Sequence, residues 1–196
     1  MREVRCEEIG PLEGLVVGEG PEPEARPGGV VVEIEAAGVN YVDALFVQGR
    51  YQIKPPVPFV PGSEIAGRIA AVGDGVDGWA PGDRVMAMVG LGGFAERIGV
   101  RATSLVQVPD RLDSPRAAGF IQSYCTALFA LSRRAHLASG ETVVVLGAGG
   151  GVGLAAIDVA TALGARAIGA ASSDEKRAAA LAAGAEAVID YAAEDL

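Results

Sequence analysis

Between Thr142 and Gly153 the chain reads TVVVLGAGGGVG, four apolar residues running into five glycines within seven positions. Glycine permissiveness alone can make a tight turn. The context asks for more. A strand-like apolar run precedes the glycines and an alanine-rich helical run follows them. Gly147, Gly150 and Gly153 recur at every third position. In that arrangement one glycine lets the chain turn, one lets backbone approach a pyrophosphate, and one lets helix and strand touch. With Gly151 and Val152 they open the helix, whose exposed N–H groups and dipole favour an anion. The predicted chemistry is the binding of a dinucleotide.

The residues downstream address which dinucleotide. A site for a free ribose 2′-hydroxyl commonly ends its second strand with Asp or Glu, about 20 residues past the glycines. Here the strand ARAIGAAS ends in Ala171 and Ser172, and SSDEKR follows. An acid at the strand end would repel a 2′-phosphate, whereas the hydroxyls of Ser172 and Ser173 and the ammonium of Lys176 would receive one. Ser173 also reads as a helix N-cap, with Asp174 and Glu175 as favourable first-turn acids. Both roles can hold together, and the missing acid favours NADPH over NADH.

These residues need elements to hold them. From about Asp110 onward the pattern is helical and then alternating. Ser114 caps a helix that starts on Pro115, and a second helical run covers Ser123 to Arg134. Then come a strand (Val143 to Leu146), a helix (Gly151 to Leu163), a strand (Ala167 to Ala171), a helix (Asp174 to Ala183) and a strand (Ala187 to Ile189). That is βαβαβ, the first half of a doubly wound parallel sheet. On the first of these helices Val152, Ala155, Ala156, Val159, Ala160 and Leu163 form the expected buried face. The preceding residues are β-rich, with strands at Val30 to Ala36, Ile65 to Val72 and Asp83 to Val89 separated by Pro/Gly turns. NYVDALFVQG is one short helix. The expected domains are 1–120, a small irregular β domain, and 121–196, a partial nucleotide-binding domain.

Composition excludes several classes. The 196 residues are half hydrophobic, enough for a real core, and carry a net charge of −9. No basic patch suits nucleic acid or anionic lipid. Cys6 and Cys125 are too few for a disulfide framework and fit a reducing cytosol. The charged start MREVRCEEIG lacks a signal-peptide core, and no run of about 18 apolar residues suggests a membrane span.

Taken together, AAGVNYVDALFVQGRY, PFVPGSEIAGRIAAVGDGV, GDRVMAM, GGFAE, AAGFIQSYCTALFAL and GAGGGVGLAAIDVATALGA resemble the zinc-free medium-chain dehydrogenase/reductases of the quinone oxidoreductase, zeta-crystallin-like type. The resemblance covers essentially the whole chain. It implies a GroES-like catalytic domain, a Rossmann domain, and NADPH in the cleft between them. Zinc-dependent relatives place Cys where this chain has Asn40 and His where it has Ser63, in Gly62-Ser63-Glu64. Their third ligand falls near Gln122, with Cys125 displaced from it. Amide and hydroxyl side chains do not serve zinc, and the only histidine, His136, reads as a surface or helix-end residue. No metal site is expected.

By the same resemblance Asn40 and Thr126 lie beside the nicotinamide, as the catalytic and cofactor-orienting pair, and Lys176 and Tyr191 grip the 2′-phosphate. Tyr191 could otherwise be an ordinary strand-end aromatic. Two family hydroxyls are missing, at Leu45 and Phe129. Tyr41, Tyr51 and Tyr124 are possible substitutes. The implied activity is hydride transfer from NADPH to a quinone or similar electron-poor carbonyl acceptor. The alternatives are an alkenal or enoyl-thioester reductase on the same fold and a non-catalytic, crystallin-type NADPH-binding protein. The implied setting is a cytoplasmic enzyme, homodimeric when complete, with a small-molecule quinone or enone as substrate. Because AVIDYAAEDL carries the third Rossmann strand and the sequence stops just after it, whereas a doubly wound dinucleotide fold needs about six strands, a C-terminally truncated chain is expected.

Overall fold

The computed structural model describes residues 1–193, and its chain contacts divide it into two compact units, Met1–Ile121 and Gln122–Leu196. In the first unit, β1 (Arg2–Cys6) and β2 (Leu15–Glu19) pair as an antiparallel hairpin. Five further strands form one antiparallel sheet: β3 (Gly29–Gly38), β4 (Glu64–Val72), β5 (Arg84–Met88), β6 (Arg97–Arg101) and β7 (Leu105–Gln107), in the order β6-β3-β4-β5-β7. The central strands alternate as sheet residues should. Val30, Val32, Ile65, Ile69, Val85, Ala87 and Leu105 fill one core, where each fully buried Val or Ile is worth about 1.5–3 kcal/mol.

Two short helices close other faces of this unit. The first, α1 (Tyr41–Val47), sends Phe46 and Val47 against Cys6 and Phe59. The second, α2 (Ser114–Ala118), packs Ala117 and Ala118 on Ala66, Met86 and Val108. Its cap corrects the sequence reading. Asp113, not Ser114, is the N-cap: its carboxylate accepts the Arg116 N–H at 2.9 Å, and Pro115 enters the first turn behind it. Ser114 instead gives its hydroxyl to Glu35. An ionised carboxylate is the stronger acceptor for helix N–H groups, so the acid one residue earlier takes the cap.

Helix α3 (Ile121–Leu128), all but its first residue in the second unit, continues into a wider turn over Phe129–Arg134 closed by an Ala135 N–H to Ala130 carbonyl bond of 2.9 Å. The expected single helix therefore changes winding halfway. Ser132 returns its hydroxyl to the Leu128 carbonyl at 2.5 Å, a back-bond that bends helices. His136 follows in the left-handed region, with φ of 53°, and is exposed. Next come β8 (Thr142–Leu146), α4 (Gly151–Ala162), β9 (Arg166–Ala170), α5 (Asp174–Ala182) and β10 (Ala187–Ile189). The three strands are parallel in the order β10-β9-β8, as the first half of a doubly wound sheet requires.

The buried face of α4 differs in part from the expected one. Gly153, Ala155, Ile157 and Ala160 are buried, while Val152 is 45% exposed. Ala156, Val159 and Leu163 pack at its margin. The helix rolls so that Gly153, rather than Val152, seats against the backbone of Gly147 and Ala148. Among the described residues no helix is long and apolar enough to cross a membrane.

Candidate functional site

In the second unit, β8 delivers the chain to Gly147, whose φ of +65° needs glycine. The backbone folds back through a Gly150 N–H to Gly147 carbonyl bond of 3.0 Å, and α4 starts at once. A Cβ on Gly153 would lie 2.4 Å from the Gly147 carbonyl oxygen and 2.8 Å from Ala148 Cα. The close approach is thus between the first turn of α4 and the turn that directly follows β8. Gly150 is the N-cap of α4, with no side chain capping the helix and no acid in its first turn. The N–H groups that open this helix have no partner within it, so an anion is the natural complement. Buried Ser123 of α3 reaches the same place, its Oγ 3.2 Å from where a Cβ on Gly151 would stand.

Lys176 meets this turn through a glycine that the sequence reading left without a role. A Cβ on Gly149 would fall 2.4 Å from Lys176 Cβ and 2.5 Å from its Cγ. Gly149 therefore exists in the space that the lysine stem needs. Ser173 caps α5, its hydroxyl accepting the Lys176 N–H at 3.4 Å, while Ser172 is exposed past the end of β9. No acid stands at that strand end. The neighbouring cation is committed elsewhere: Arg177 binds Asp174 at 2.5 Å, Asp190 at 2.8 Å and the Ala171 carbonyl at 3.1 Å. It thereby ties the end of β9 and the start of α5 to the residue just before Tyr191, which is 41% exposed. Glycine turn, Ser172, Ser173, Lys176 and Tyr191 all lie on the C-terminal side of the parallel strands. Helix-opening N–H groups, two serine hydroxyls and one ammonium are thus gathered on one side of the sheet, the donor chemistry that a phosphate-bearing dinucleotide needs.

In the first unit the site is a buried polar cluster. β3 ends at Gly38, directly opposite Glu64 at the start of β4. Asn40, two residues on, is thereby brought against a segment 23–24 residues away. Its Nδ2 donates to Glu64 Oε1 at 2.9 Å and to Ser63 Oγ at 3.4 Å. Gly38 makes room for this: a Cβ there would lie 2.7 Å from Glu64 Oε1 and 2.4 Å from the Ala118 carbonyl. Asn40 and Asp43 form a reciprocal capping box, with Asp43 Oδ2 accepting the Asn40 N–H at 2.8 Å. Asp43 and Glu64 are 4% and 1% exposed. Sequence reasoning singled out Asn40 and quoted Ser63 and Glu64, but gave Glu64, Asp43 and Gly38 no role. The larger depressions of this unit, around Pro23 to Pro27 and Gly99 to Arg101, contain none of these residues.

Burial pushes the Asp43 carboxyl above its ordinary value. Its Oδ1 makes no hydrogen bond of good geometry, so the donors around it, Asn40, Ser63 and Gly62, oppose the shift without cancelling it. The folded state therefore holds this proton more tightly than the unfolded chain. The stabilisation is fully present below the unfolded pKa, about 3.9, and is lost as pH rises through the raised folded value. Asp43→Asn removes that contribution. Across the window above about pH 3.9, the variant's stability should climb relative to the parent in urea-unfolding titrations. A difference that is flat with pH would mean that Asp43 titrates as an ordinary carboxylate.

Thr126 lies on α3 of the second unit and is exposed, beside exposed Cys125. Of the tyrosines offered as substitutes for the missing family hydroxyls, Tyr124 gives its phenol to Asp158 at 2.7 Å, which raises its pKa. Tyr51 stacks edge-on against Phe46, centroids 4.8 Å apart. Tyr41 is largely exposed. The donor set at positions 40 and 63 is an amide and a hydroxyl. Among the described residues no cluster of three His, Cys, Asp or Glu side chains could hold a metal ion.

Comparison with known proteins gives two family matches. Residues 26–110 match the family described as "Alcohol dehydrogenase GroES-like domain", and residues 151–196 match the one described as "Zinc-binding dehydrogenase". The chain is 40% identical over 178 residues to "Quinone oxidoreductase-like protein 2" of Bos taurus, covering 90% of this chain and 51% of that protein. Among solved structures, the quinone oxidoreductase of Thermus thermophilus, determined alone and with NADPH, is 39% identical with a TM-score of 0.85, covering 98% of this chain and 60% of its own. The Escherichia coli quinone oxidoreductase complexed with NADPH is 31% identical with a TM-score of 0.91, covering all of this chain and 60% of its own. The chain thus spans about half the length of the bovine relative.

Proposed function

The chain belongs to the medium-chain dehydrogenase/reductase superfamily, among the quinone oxidoreductases, and from that premise we propose that it carries out zinc-independent transfer of a hydride from NADPH to a quinone or similar electron-poor carbonyl acceptor. The observation that carries this reading is the glycine turn with Lys176 laid across Gly149. It pairs a dinucleotide cradle with a cation suited to an extra phosphate.

When bound, NADPH would supply the hydride, and the protein supplies position. Gly147, Gly150, Gly151, Val152 and Gly153 would receive the pyrophosphate on backbone N–H groups. Ser172, Ser173, Lys176 and Tyr191 would hold the 2′-phosphate. Asn40 and Thr126 would orient the nicotinamide by hydrogen bonds to its carboxamide. Orienting one reactant against another is itself worth several kcal/mol of barrier. Hydride addition to a quinone leaves an oxyanion that water can protonate, so no strong general acid is required. The donor set at Asn40 and Ser63 supports chemistry without zinc, even though the matched family's description names that metal.

The test is NADPH oxidation by 1,4-benzoquinone in the natural full-length protein, followed by ultraviolet absorbance. Turnover is expected to persist in EDTA, with no stoichiometric zinc by elemental analysis. Absence of quinone turnover, or activity that chelation removes and zinc restores, would overturn the proposal.

A further inference from the structure

We propose that Glu64 is a positioning residue that fixes the orientation of the Asn40 side-chain amide, so that the group facing the nicotinamide presents the same edge in every turnover. The inference rests on the role given to Asn40 above. The nitrogen end of an amide donates and its oxygen only accepts, so a Glu64 oxygen that accepts at this point selects the nitrogen end. Nδ2 accordingly lies 2.9 Å from Oε1. The same nitrogen also lies 3.4 Å from Ser63 Oγ, and the Asn40 backbone N–H is pinned beside it by Asp43 Oδ2 at 2.8 Å. A 180° flip, which would cost an isolated Asn almost nothing in shape, would here set the amide oxygen against Glu64 Oε1 in place of the nitrogen.

The backbone is built to allow this. The register places Gly38 opposite Glu64, and only a residue without a Cβ leaves room there for the carboxyl to reach across to Asn40. Complete burial keeps water from competing for Oε1, and in that setting a hydrogen bond is stronger than at the surface. A carboxylate at this depth needs partners to be tolerated, and Asn40 is one of them.

Two independent readouts test the idea. In the cofactor-free protein, the ¹⁵N–¹H resonances of the Asn40 side-chain amide, assigned by their loss in Asn40→Ala, should show slow exchange with solvent. Glu64→Ala should abolish that protection, and Glu64→Gln, whose carbonyl can still accept, should retain it. In single-turnover mixing with NADPH and 1,4-benzoquinone, Glu64→Ala should slow hydride transfer about ten-fold, with the NADPH Kd changed by less than about two-fold. Glu64→Gln should recover most of the rate.

A donor–acceptor exchange covers the case in which Glu64→Ala fails to fold. Asn40→Asp sets two acceptors against each other and should lose the rate. Adding Glu64→Gln to it restores a donor–acceptor pair and should regain it. Unchanged amide exchange in a folded Glu64→Ala protein, or no rescue in the double variant, would overturn the positioning role. An unchanged rate in Asn40→Ala would instead remove Asn40 from the site, and with it the catalytic consequence of the lock.

Discussion

Replacing Gly153 by alanine should lower stability by about 1–3 kcal/mol and weaken NADPH binding about 100-fold. The added methyl would sit 2.4 Å from the Gly147 carbonyl oxygen, 2.8 Å from Ala148 Cα and 3.0 Å from the Gly147 carbonyl carbon. All three are backbone atoms, and none can swing aside. The Gly147 carbonyl already accepts the Gly150 N–H at 3.0 Å, and the Ala148 N–H donates to Ala170 of the adjacent strand at 3.0 Å. The relief left is for α4 to tilt off β8, which carries its N-terminal N–H groups away from the phosphate position. A 100-fold loss corresponds to about 2.7 kcal/mol, more than one neutral hydrogen bond supplies.

Gly150 provides the contrast. A Cβ there would meet the Gly147 oxygen at 3.4 Å, an ordinary contact, and its φ of −88° suits any residue. Gly150→Ala should therefore keep the parent's melting temperature within about 2 °C while losing cofactor affinity, because the room at that position serves the ligand rather than the fold. Thermal melts and NADPH fluorescence titrations of both variants decide the matter. A Gly153→Ala protein with unchanged melting temperature and affinity would show that α4 does not need its close approach to the strand.

The parts of this molecule that were legible in the sequence are those set by neighbours along the chain. The glycine turn, β8, β9, α5 and β10 follow from local apolar runs, capping residues and glycine spacing, and Ser173 caps α5 as its position suggests. The parts that were not legible depend on the third dimension. Glu64 meets Asn40 because β3 and β4 pair in a register that places Gly38 opposite Glu64, a fact no window of sequence contains. The roll of α4, which buries Ile157 and exposes Val152, is set by Gly153 seating on the turn, not by the helix's own periodicity. The strands β1, β2, β6 and β7 are short or half exposed, so their apolar alternation is weak. Asp113 takes the cap that Ser114 was expected to supply because its carboxylate is the stronger acceptor, while the serine hydroxyl is turned to Glu35, 79 residues away.

Lys176→Ala should weaken NADPH binding about 10–100-fold and leave NADH binding within about two-fold, since a charge-assisted hydrogen bond contributes about 1.5–3 kcal/mol. The lysine is well placed for this. Its backbone is fixed in the first turn of α5 by the Ser173 cap, and its stem is seated over Gly149. The adjacent Arg177 cannot replace it, because its guanidinium is spent on Asp174, Asp190 and the Ala171 carbonyl. Arg177→Ala is accordingly expected to act on both cofactors together, through loss of the tie between β9, α5 and the segment leading to Tyr191. The Lys176 contribution should also shrink as salt is raised, as it does for an exposed charge pair. Calorimetric titration of each protein with NADPH and NADH at low and high salt separates these effects. The same seat over the glycine turn sets the outcome that would refute the assignment. If Lys176→Ala weakens NADPH and NADH equally, the ammonium serves the pyrophosphate that both share, and the 2′-phosphate must be read by Ser172, Ser173 and Tyr191 without it.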